Sequence, residues 1–217
     1  MYRSLALGGV VVALLASTVS AQATPLQEPA GPPPGKVTIE PQTVNGSGCP
    51  AGSTDVLAHP DNTSFSVTYS QYLAQVGPQS QPTDFRQNCQ ISLRVSYPQG
   101  YTFAIHKVDY YGFAHLQAGA RGMEQASFYF QGSPQTERRS HTFTGPYSDN
   151  WRATDVIATE QLVWAPCGMQ RNLNINTELR VSAGTSDKSR TSFMTMDETR
   201  SKVSTIYQFA WKECPAA

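Results

Sequence analysis

The strongest constraint on how this chain can fold is an alternation of polar and apolar side chains from residue 172 to residue 181. A period of two is typical of a β-strand, because successive side chains of a strand point to opposite faces of its sheet. One face then carries Leu173, Ile175, Thr177, Leu179 and Val181, and the other carries Asn172, Asn174, Asn176, Glu178 and Arg180. Since asparagine is depleted in strands, this row needs a reason. We interpret it first as the water-facing side of a half-buried strand and second as a surface that binds a sugar.

The same period recurs in "SFSVTY", "CQISLRVSY", "SFYFQG" and "KVSTIYQFAWKEC", with turn signals such as "YPQG", "AGARG" and "AGTSD" between the strands. No convincing amphipathic helix interrupts them. The pattern predicts an all-β fold, an antiparallel β-sandwich of the immunoglobulin-like or jelly-roll-like kind, stapled by disulfides. Residues 101–116 are apolar on both faces, which predicts a long central strand with a bulge or bend near His106–Asp109.

The first residues have the order of a secretory signal peptide. Arg3 is followed by an apolar run from Leu5 to Ala16 and then by small residues, which predicts a signal peptide over 1–21. Residues 22–36 are rich in proline and have too few apolar side chains to form a core, so we expect a disordered, extended tether. Residues 37–217 then form one domain, and we expect the mature protein to be secreted, extracellular and without a membrane anchor.

Four cysteines follow the predicted signal peptide: Cys49, Cys89, Cys167 and Cys214. In an exported chain an even number of cysteines indicates disulfides, although four cysteines allow three connectivities. We favour Cys49–Cys89 with Cys167–Cys214, because each bond then closes one half of the chain. No spacing resembles that of a zinc site, so we predict no metal and no cofactor.

The charges of the chain disfavour several partners. Lys and Arg number 16, and Asp and Glu also number 16, so no global field attracts nucleic acid or an anionic membrane. We therefore expect no nucleic-acid binding.

A search for catalytic motifs finds no complete set. There is no Gly-x-Ser-x-Gly elbow and no His-Glu-x-x-His. Acid–base chemistry would have to combine His106 or His141 with Glu124 or Glu137, as in a secreted ribonuclease, and the sequence does not show their distances. Convergence of these four side chains in one pocket would favour an enzyme, and scattered positions would favour a binding protein.

Two groups of residues are candidate binding sites. Tyr147 and Trp151 flank "SDN" in a predicted loop. Each ring alone is expected to pack at the edge of the core, and together they could instead stack on a sugar while Asp149 and Asn150 bond its hydroxyls. The asparagine row Asn172, Asn174 and Asn176 is the second group, because amides both donate and accept hydrogen bonds. Asn45 and Asn62 begin glycosylation sequons.

Several stretches together resemble a known family: "VNGSGCPAGS", "NCQISLRV", "DYYGFAHLQAGA", "FTGPYSDNW", "PCGMQRNLNINTELRVSAGTSD" and "FAWKEC". In this order they are similar to a family of small secreted proteins of filamentous fungi and mycelial bacteria that is classed as a domain of unknown function. The resemblance covers nearly all of Val37 to Cys214 and includes the four cysteines. It implies export and a cysteine-stapled domain, and it supplies no catalytic residues.

These observations favour a secreted, non-catalytic binding or effector-like protein at a cell wall or host surface. Its partner would be a cell-wall polysaccharide or a component of a host surface. One alternative is a secreted hydrolase such as a ribonuclease, and another is a structural component of the cell wall.

Overall fold

The computed structural model describes residues 31–196 and 205–215. The predicted signal peptide and residues 22–30 of the predicted tether lie outside these ranges. The described chain forms two antiparallel sheets packed face to face as a sandwich, which confirms the predicted fold class.

The first sheet has five strands in the order β1, β5, β10, β7 and β8. Their bounds are β1 Thr38–Asn45, β5 Arg86–Ser96, β10 Leu173–Ser182, β7 Arg121–Phe130 and β8 Glu137–Thr144. The alternating segment 172–181 therefore forms the central strand of this sheet, with both of its edges paired.

The second sheet has seven strands, of which six follow the order β2, β3, β12, β6, β11 and β4, while β9 pairs with the other side of β6. Their bounds are β2 Thr54–Ala58, β3 Ser64–Tyr69, β12 Thr205–Glu213, β6 Tyr101–Leu116, β11 Ser192–Thr195, β4 Leu73–Val76 and β9 Tyr147–Val156. A short 3-10 helix spans Thr159–Gln161.

The long strand β6 has the predicted bulge. Gln208 of β12 pairs with Lys107 and the next residue, Phe209, pairs with Ile105, so His106 is the extra residue. A bulge bends a strand and increases its twist. This bend allows one strand to pair with β12 along its first half and with β11 and β9 along its second half.

Alternate apolar side chains of both sheets fill the space between them. Leu173, Ile175 and Leu179 of β10 are fully buried, as their alternation predicts. Tyr207, Phe209 and Trp211 of β12 are also in the core, where Phe209 and Trp211 pack 5.2 Å apart. Because aromatic rings bury large apolar areas, this cluster is a major source of the stability of the sandwich.

Both predicted disulfides are present. Cys89 lies on β5 of the five-stranded sheet, and its partner Cys49 leads into β2 of the seven-stranded sheet. Cys214 follows β12, and its partner Cys167 precedes β10. Each bond therefore joins one sheet of the sandwich to a segment that enters the other.

The ordered domain begins before the boundary at residue 36 that composition predicts. Pro33 is buried, and the side chain of Asn62 donates hydrogen bonds to the backbone carbonyls of Pro33 and Gly35, at 3.4 and 2.6 Å. The side-chain oxygen of Asn62, Oδ1, accepts a hydrogen bond from Val37 N at 3.1 Å. Proline loses little side-chain entropy on ordering, so these hydrogen bonds, together with burial of Pro33 and Val37, hold the end of the proline-rich segment on the domain.

No helix in the part of the chain that the structure describes has the length and apolar character needed to cross a bilayer.

Candidate functional site

The outer surface of the five-stranded sheet is built from amides, hydroxyls and arginines. We call this surface the amide–arginine face and define it as the outward side chains of β5, β10, β7 and β8. Its amides are Asn88, Gln90, Asn174, Asn176 and Gln125. Its arginines are Arg86, Arg94, Arg121, Arg138 and Arg180. The face follows directly from the alternation of the four strands, since the inward positions of β5 and β10 are mostly apolar.

Hydrogen-bonding side chains form a row that crosses the strands, with Gln90 and Asn176 as its amides on β5 and β10. Asn176 pairs with Gln90 on one side and with Ser127 on the other. Gln90 in turn pairs with Asn45 of β1, and Ser127 pairs with Arg138 of β8. Directly opposed residues of neighbouring strands point to the same face, and strands lie about 4.8 Å apart. This cross-strand row of hydrogen-bonding side chains therefore extends across the whole sheet, over about 19 Å.

Asn174 and Asn176 are the members of the predicted asparagine row that remain available to a ligand. Neither side-chain amide has a hydrogen bond to any residue within 31–196 or 205–215, and both are half-buried. Asn172 differs, because its amide donates a hydrogen bond to Ser92 Oγ at 3.2 Å. A shallow depression of about 200 Å³ lies beside Asn176. It is too small to enclose a drug-sized ligand, so the face suits an extended chain that lies across it.

An ion cluster lies beside the middle of the row, two residues along β10 from Asn176. Glu178 is 7% exposed, and its carboxylate accepts hydrogen bonds from Arg86 and Arg180, with Arg86 Nε at 2.8 Å from Oε2. Burial raises the pKa of Glu178, but the hydrogen bonds from both arginines outweigh it, so that the pKa lies below its ordinary value. The carboxylate therefore stays ionised and holds the two guanidinium groups in fixed positions on the face.

The other predicted binding group, from Tyr147 to Trp151, does not form a loop. These residues begin strand β9, and the Tyr147 hydroxyl donates a hydrogen bond to the backbone carbonyl of Asn150 at 2.9 Å. Trp151 is 1% exposed and packs 5.1 Å from the ring of Phe143. Gly112 lies opposite it on β6, where a Cβ atom would come 2.4 Å from the indole. The indole is therefore part of the core, and of the four residues predicted to contact a sugar only Asp149 is exposed.

Two of the predicted acid–base residues do converge. Glu124 and His141 are cross-strand neighbours, with His141 Nε2 at 4.0 Å from Glu124 Oε2 and at 3.2 Å from Asp155 Oδ2. Glu124 is fully buried, and neither of its oxygens has a hydrogen-bond partner in the described part of the chain. Burial, with a contribution from the charge of Asp155, raises the pKa of Glu124 well above its ordinary value. Burial therefore favours the protonated form of Glu124 in the folded protein, and none of the cavities described below opens onto it.

The other predicted acid–base residues are elsewhere. Glu137 forms an ion pair with Arg139 at 2.6 Å. His106 lines a different cavity, of about 490 Å³, together with Leu162 and Trp211. Burial, and secondarily the charge of Lys107, lowers the pKa of His106. The four side chains thus do not share one pocket.

Two further cavities open on the surface of the sandwich, one of them beside Arg121 and Arg180 of the amide–arginine face. The larger, of about 770 Å³, lies beside the Cys167–Cys214 disulfide and is lined by Tyr97, Tyr101 and Met169. The other, of about 580 Å³, contains Phe85 and Met123. Neither places a carboxylate or histidine in its wall. Within the described ranges, no group of three or more His, Cys, Asp or Glu side chains has an arrangement that would hold a metal ion.

The two sequon asparagines have different environments. Asn45 is exposed at the β1 end of the cross-strand row. Asn62 is half-buried with a positive φ of 58°, and its amide fixes the proline-rich segment. Glycosylation of both stays a prediction.

Sequence reasoning found the asparagines of β10 but missed the amides and arginines of β5, β7 and β8 that complete the face. Each of those strands carries the same alternation, so the outward side chains were readable one strand at a time. What the sequence lacks is the pairing, because β5 and β10 are far apart in the chain. Asp155 was also missed, although an acid at an inward position of a strand is a recognisable signal.

Two solved structures show weak similarity to this chain. One is the enzymatically active domain of tailspike protein 4 of bacteriophage CBA120, with a TM-score of 0.25 and 8% identity, covering 82% of this chain and 19% of that one. The other is an empty virus-like particle of cowpea mosaic virus, with a TM-score of 0.23 and 10% identity, covering 91% of this chain and 84% of that one. At these TM-scores neither similarity informs fold or function.

Sequence relatives are more informative. An "Uncharacterized secreted protein" of Arthroderma benhamiae is 32% identical over 183 residues, which cover 84% of this chain and 74% of the relative. Residues 35–214 match the family described as Domain of unknown function (DUF4360). The matched range contains all four cysteines and the whole sandwich from β1 to β12, and it confirms the predicted resemblance. The chain belongs to the DUF4360 family.

Proposed function

We propose that this protein is secreted and binds an extracellular polysaccharide through its amide–arginine face. The observation that carries the proposal is the pair of outward amides on the central strand, Asn174 and Asn176, which have no side-chain hydrogen-bond partner in the described part of the chain. An amide presents two donors and two acceptor lone pairs, and a sugar chain presents hydroxyls that match both.

Secretion is supported by three features. The first residues have the pattern of a signal peptide, the relative from Arthroderma benhamiae is named a secreted protein, and two disulfides join the sheets. Disulfides of this kind persist in oxidising, extracellular compartments.

The shape of the face supports a polymer rather than a small molecule. The row extends about 19 Å across the sheet, while the depression in it measures about 200 Å³. A polysaccharide would lie over several strands and bond successive amides, and each neutral hydrogen bond would contribute about 0.5–1.5 kcal/mol.

The test is a binding assay on chitin, cellulose, β-glucan and pectate with the full mature chain and an Asn174→Ala/Asn176→Ala double variant. We expect at least one polysaccharide to retain the wild-type protein and the double variant to bind it about tenfold more weakly, since two hydrogen bonds are lost. Gln71→Ala is the matched control, because Gln71 is an exposed amide beyond β3 of the other sheet.

Two results would contradict the proposal. One is no retention on any of the four polysaccharides. The other is equal retention of the wild-type protein and the double variant, with thermal unfolding showing that both are folded.

The hydrolase alternative has one observation in its favour, the convergence of Glu124, His141 and Asp155. A general acid must reach the proton of its substrate, and Glu124 is fully buried between the sheets. Access to the reacting group therefore favours the binding function over the hydrolase.

A further inference from the structure

We infer that the polysaccharide bound by the amide–arginine face carries carboxylates, as a polyuronate does. This inference rests on the proposed function and adds the chemical class of the ligand.

The kind of cation on the face favours a ligand with carboxylates. All of its basic side chains are arginines, and every one of them is exposed: Arg86, Arg94, Arg121, Arg138 and Arg180. A guanidinium presents five donors in a planar fork that matches a carboxylate with two parallel hydrogen bonds, whereas the ammonium of lysine is a point charge. The face is thus equipped for planar oxyanions.

The face has too few carboxylates to pair with all of its arginines. Glu178 is the one carboxylate among the outward residues of β5, β10, β7 and β8, and Glu40 of the neighbouring β1 pairs with Arg94. Glu178 is already held by Arg86 and Arg180. Arg121 and Arg138 therefore have no carboxylate partner on the face. The chain as a whole has equal numbers of acidic and basic residues, so this excess is regional.

The other outward side chains of the face favour a polysaccharide over other polyanions. Nucleic-acid surfaces that bind single strands combine cations with aromatic rings on which the bases stack, and the outward positions of these four strands contain one aromatic residue, Tyr129. Anionic membranes are bound by clusters of basic residues beside an apolar segment that enters the bilayer. The face instead interleaves its arginines with amides, which suits a chain of alternating carboxylates and hydroxyls.

The test compares polygalacturonate with its fully methyl-esterified form, which keeps the same sugar chain and loses the charge. We expect the acid to bind about tenfold more tightly than the ester at low ionic strength, and this difference to shrink as salt is raised. Total RNA and phosphatidylserine vesicles serve as the competing polyanions.

Substitutions identify the cations involved. Arg121→Gln and Arg138→Gln each remove a guanidinium that forms no ion pair with a carboxylate of the face. Each variant should bind the acid about two- to fivefold more weakly and bind the ester as the wild type does. Arg190→Gln, at an exposed turn before β11, is the matched control and should change neither.

The outcomes are distinguishable. Equal binding of acid and ester overturns this inference and leaves polysaccharide binding intact. RNA or vesicles bound as tightly as polygalacturonate also overturn it, because the face would then recognise any polyanion. If acid, ester and the neutral polysaccharides all fail to bind, the proposed function itself is wrong.

Discussion

Asn62 shows how one side chain can decide where a domain begins. Its amide makes hydrogen bonds with three backbone groups of the segment from Pro33 to Val37. Its φ of 58° is in the left-handed region, which asparagine tolerates better than most residues. A residue that appears in the sequence as a glycosylation acceptor thus has a structural task.

We predict that Asn62→Ala destabilises the domain by about 1–3 kcal/mol, because hydrogen bonds are lost and alanine is strained at positive φ. Thermal unfolding of protein made in a host that does not glycosylate measures the effect. Asn45→Ala is the control and should stay within about 0.5 kcal/mol of the wild type. Equal melting temperatures of the two variants would contradict this role for Asn62.

Glu124 is the second residue whose role depends on its surroundings. It faces His141 of β8, Asp155 of β9 and Tyr110 of β6 in the interior of the sandwich. Burial raises its pKa in the folded state, whereas the unfolded chain ionises near the ordinary value of about 4.3. Folding above that pH must therefore take up a proton.

We predict that Glu124→Gln gains stability relative to wild type as the pH rises. Below the unfolded pKa both states are protonated, so the difference is smallest near pH 4. Above it, the wild type loses up to about 1.4 kcal/mol per pH unit until the folded pKa is reached. Urea unfolding at pH 4, 6 and 8 measures this, with the exposed Glu160→Gln as control. A difference that does not change with pH would show that Glu124 is ionised in the fold.

Strand β9 illustrates what is decided at the scale of the element. As an isolated segment, "YSDNW" has the composition of a loop with two aromatics, and its sequence alone predicts a loop. In the structure it pairs with β6 along Lys107–Leu116, and this pairing turns Trp151 inward over Gly112. The strand with which β9 pairs decides which side chains of β9 are exposed. The composition of β9 does not reveal that strand.

We predict that Trp151→Ala destabilises the fold by about 3–5 kcal/mol, the usual cost of removing a buried aromatic ring. Chemical denaturation provides the measurement, and Asp149→Ala, an exposed change on the same strand, should be nearly neutral. Wild-type stability of Trp151→Ala would place the indole outside the core. Because of this cost, loss of ligand binding by this variant would not identify a binding site.

The whole molecule depends on two sheets that are joined covalently at two places. Cys49–Cys89 connects the segment before β2 to strand β5, and Cys167–Cys214 connects the segment before β10 to the end of β12. The bonds close loops with sequence separations of 40 and 47 residues, and the chain-entropy account gives about 4 kcal/mol for each, before native-state strain is subtracted.

We predict that reduction lowers the free energy of unfolding by several kcal/mol, and that a Cys49→Ser/Cys89→Ser pair removes up to about 4 kcal/mol. Urea titrations with and without reductant measure both values. An unchanged midpoint in reductant, with free thiols confirmed by titration, would show that packing alone stabilises the sandwich.

How much the sequence predicts differs with scale. Alternation predicts the sheets, the long strand β6 with its bulge, and the buried side chains of β12, because each of these depends on a local pattern. The even number of cysteines predicts the disulfides. The cross-strand row required knowing that residues 86–96 lie beside residues 173–182, and the contact of His141 with Asp155 required knowing that β8 and β9 meet across the two sheets. These pairings are non-local and leave no signal in any single segment.

The central claim is that the outer surface of the five-stranded sheet is the binding surface. Amide chemical shifts of the isotope-labelled protein, recorded while a galacturonate oligomer is added, test this claim most directly. The account predicts that the perturbed residues lie on β5, β10, β7 and β8 around Asn176 and Arg138, and that the other sheet is unaffected. Perturbations centred on β9 and β6, or on the cavity beside the Cys167–Cys214 disulfide, would contradict it.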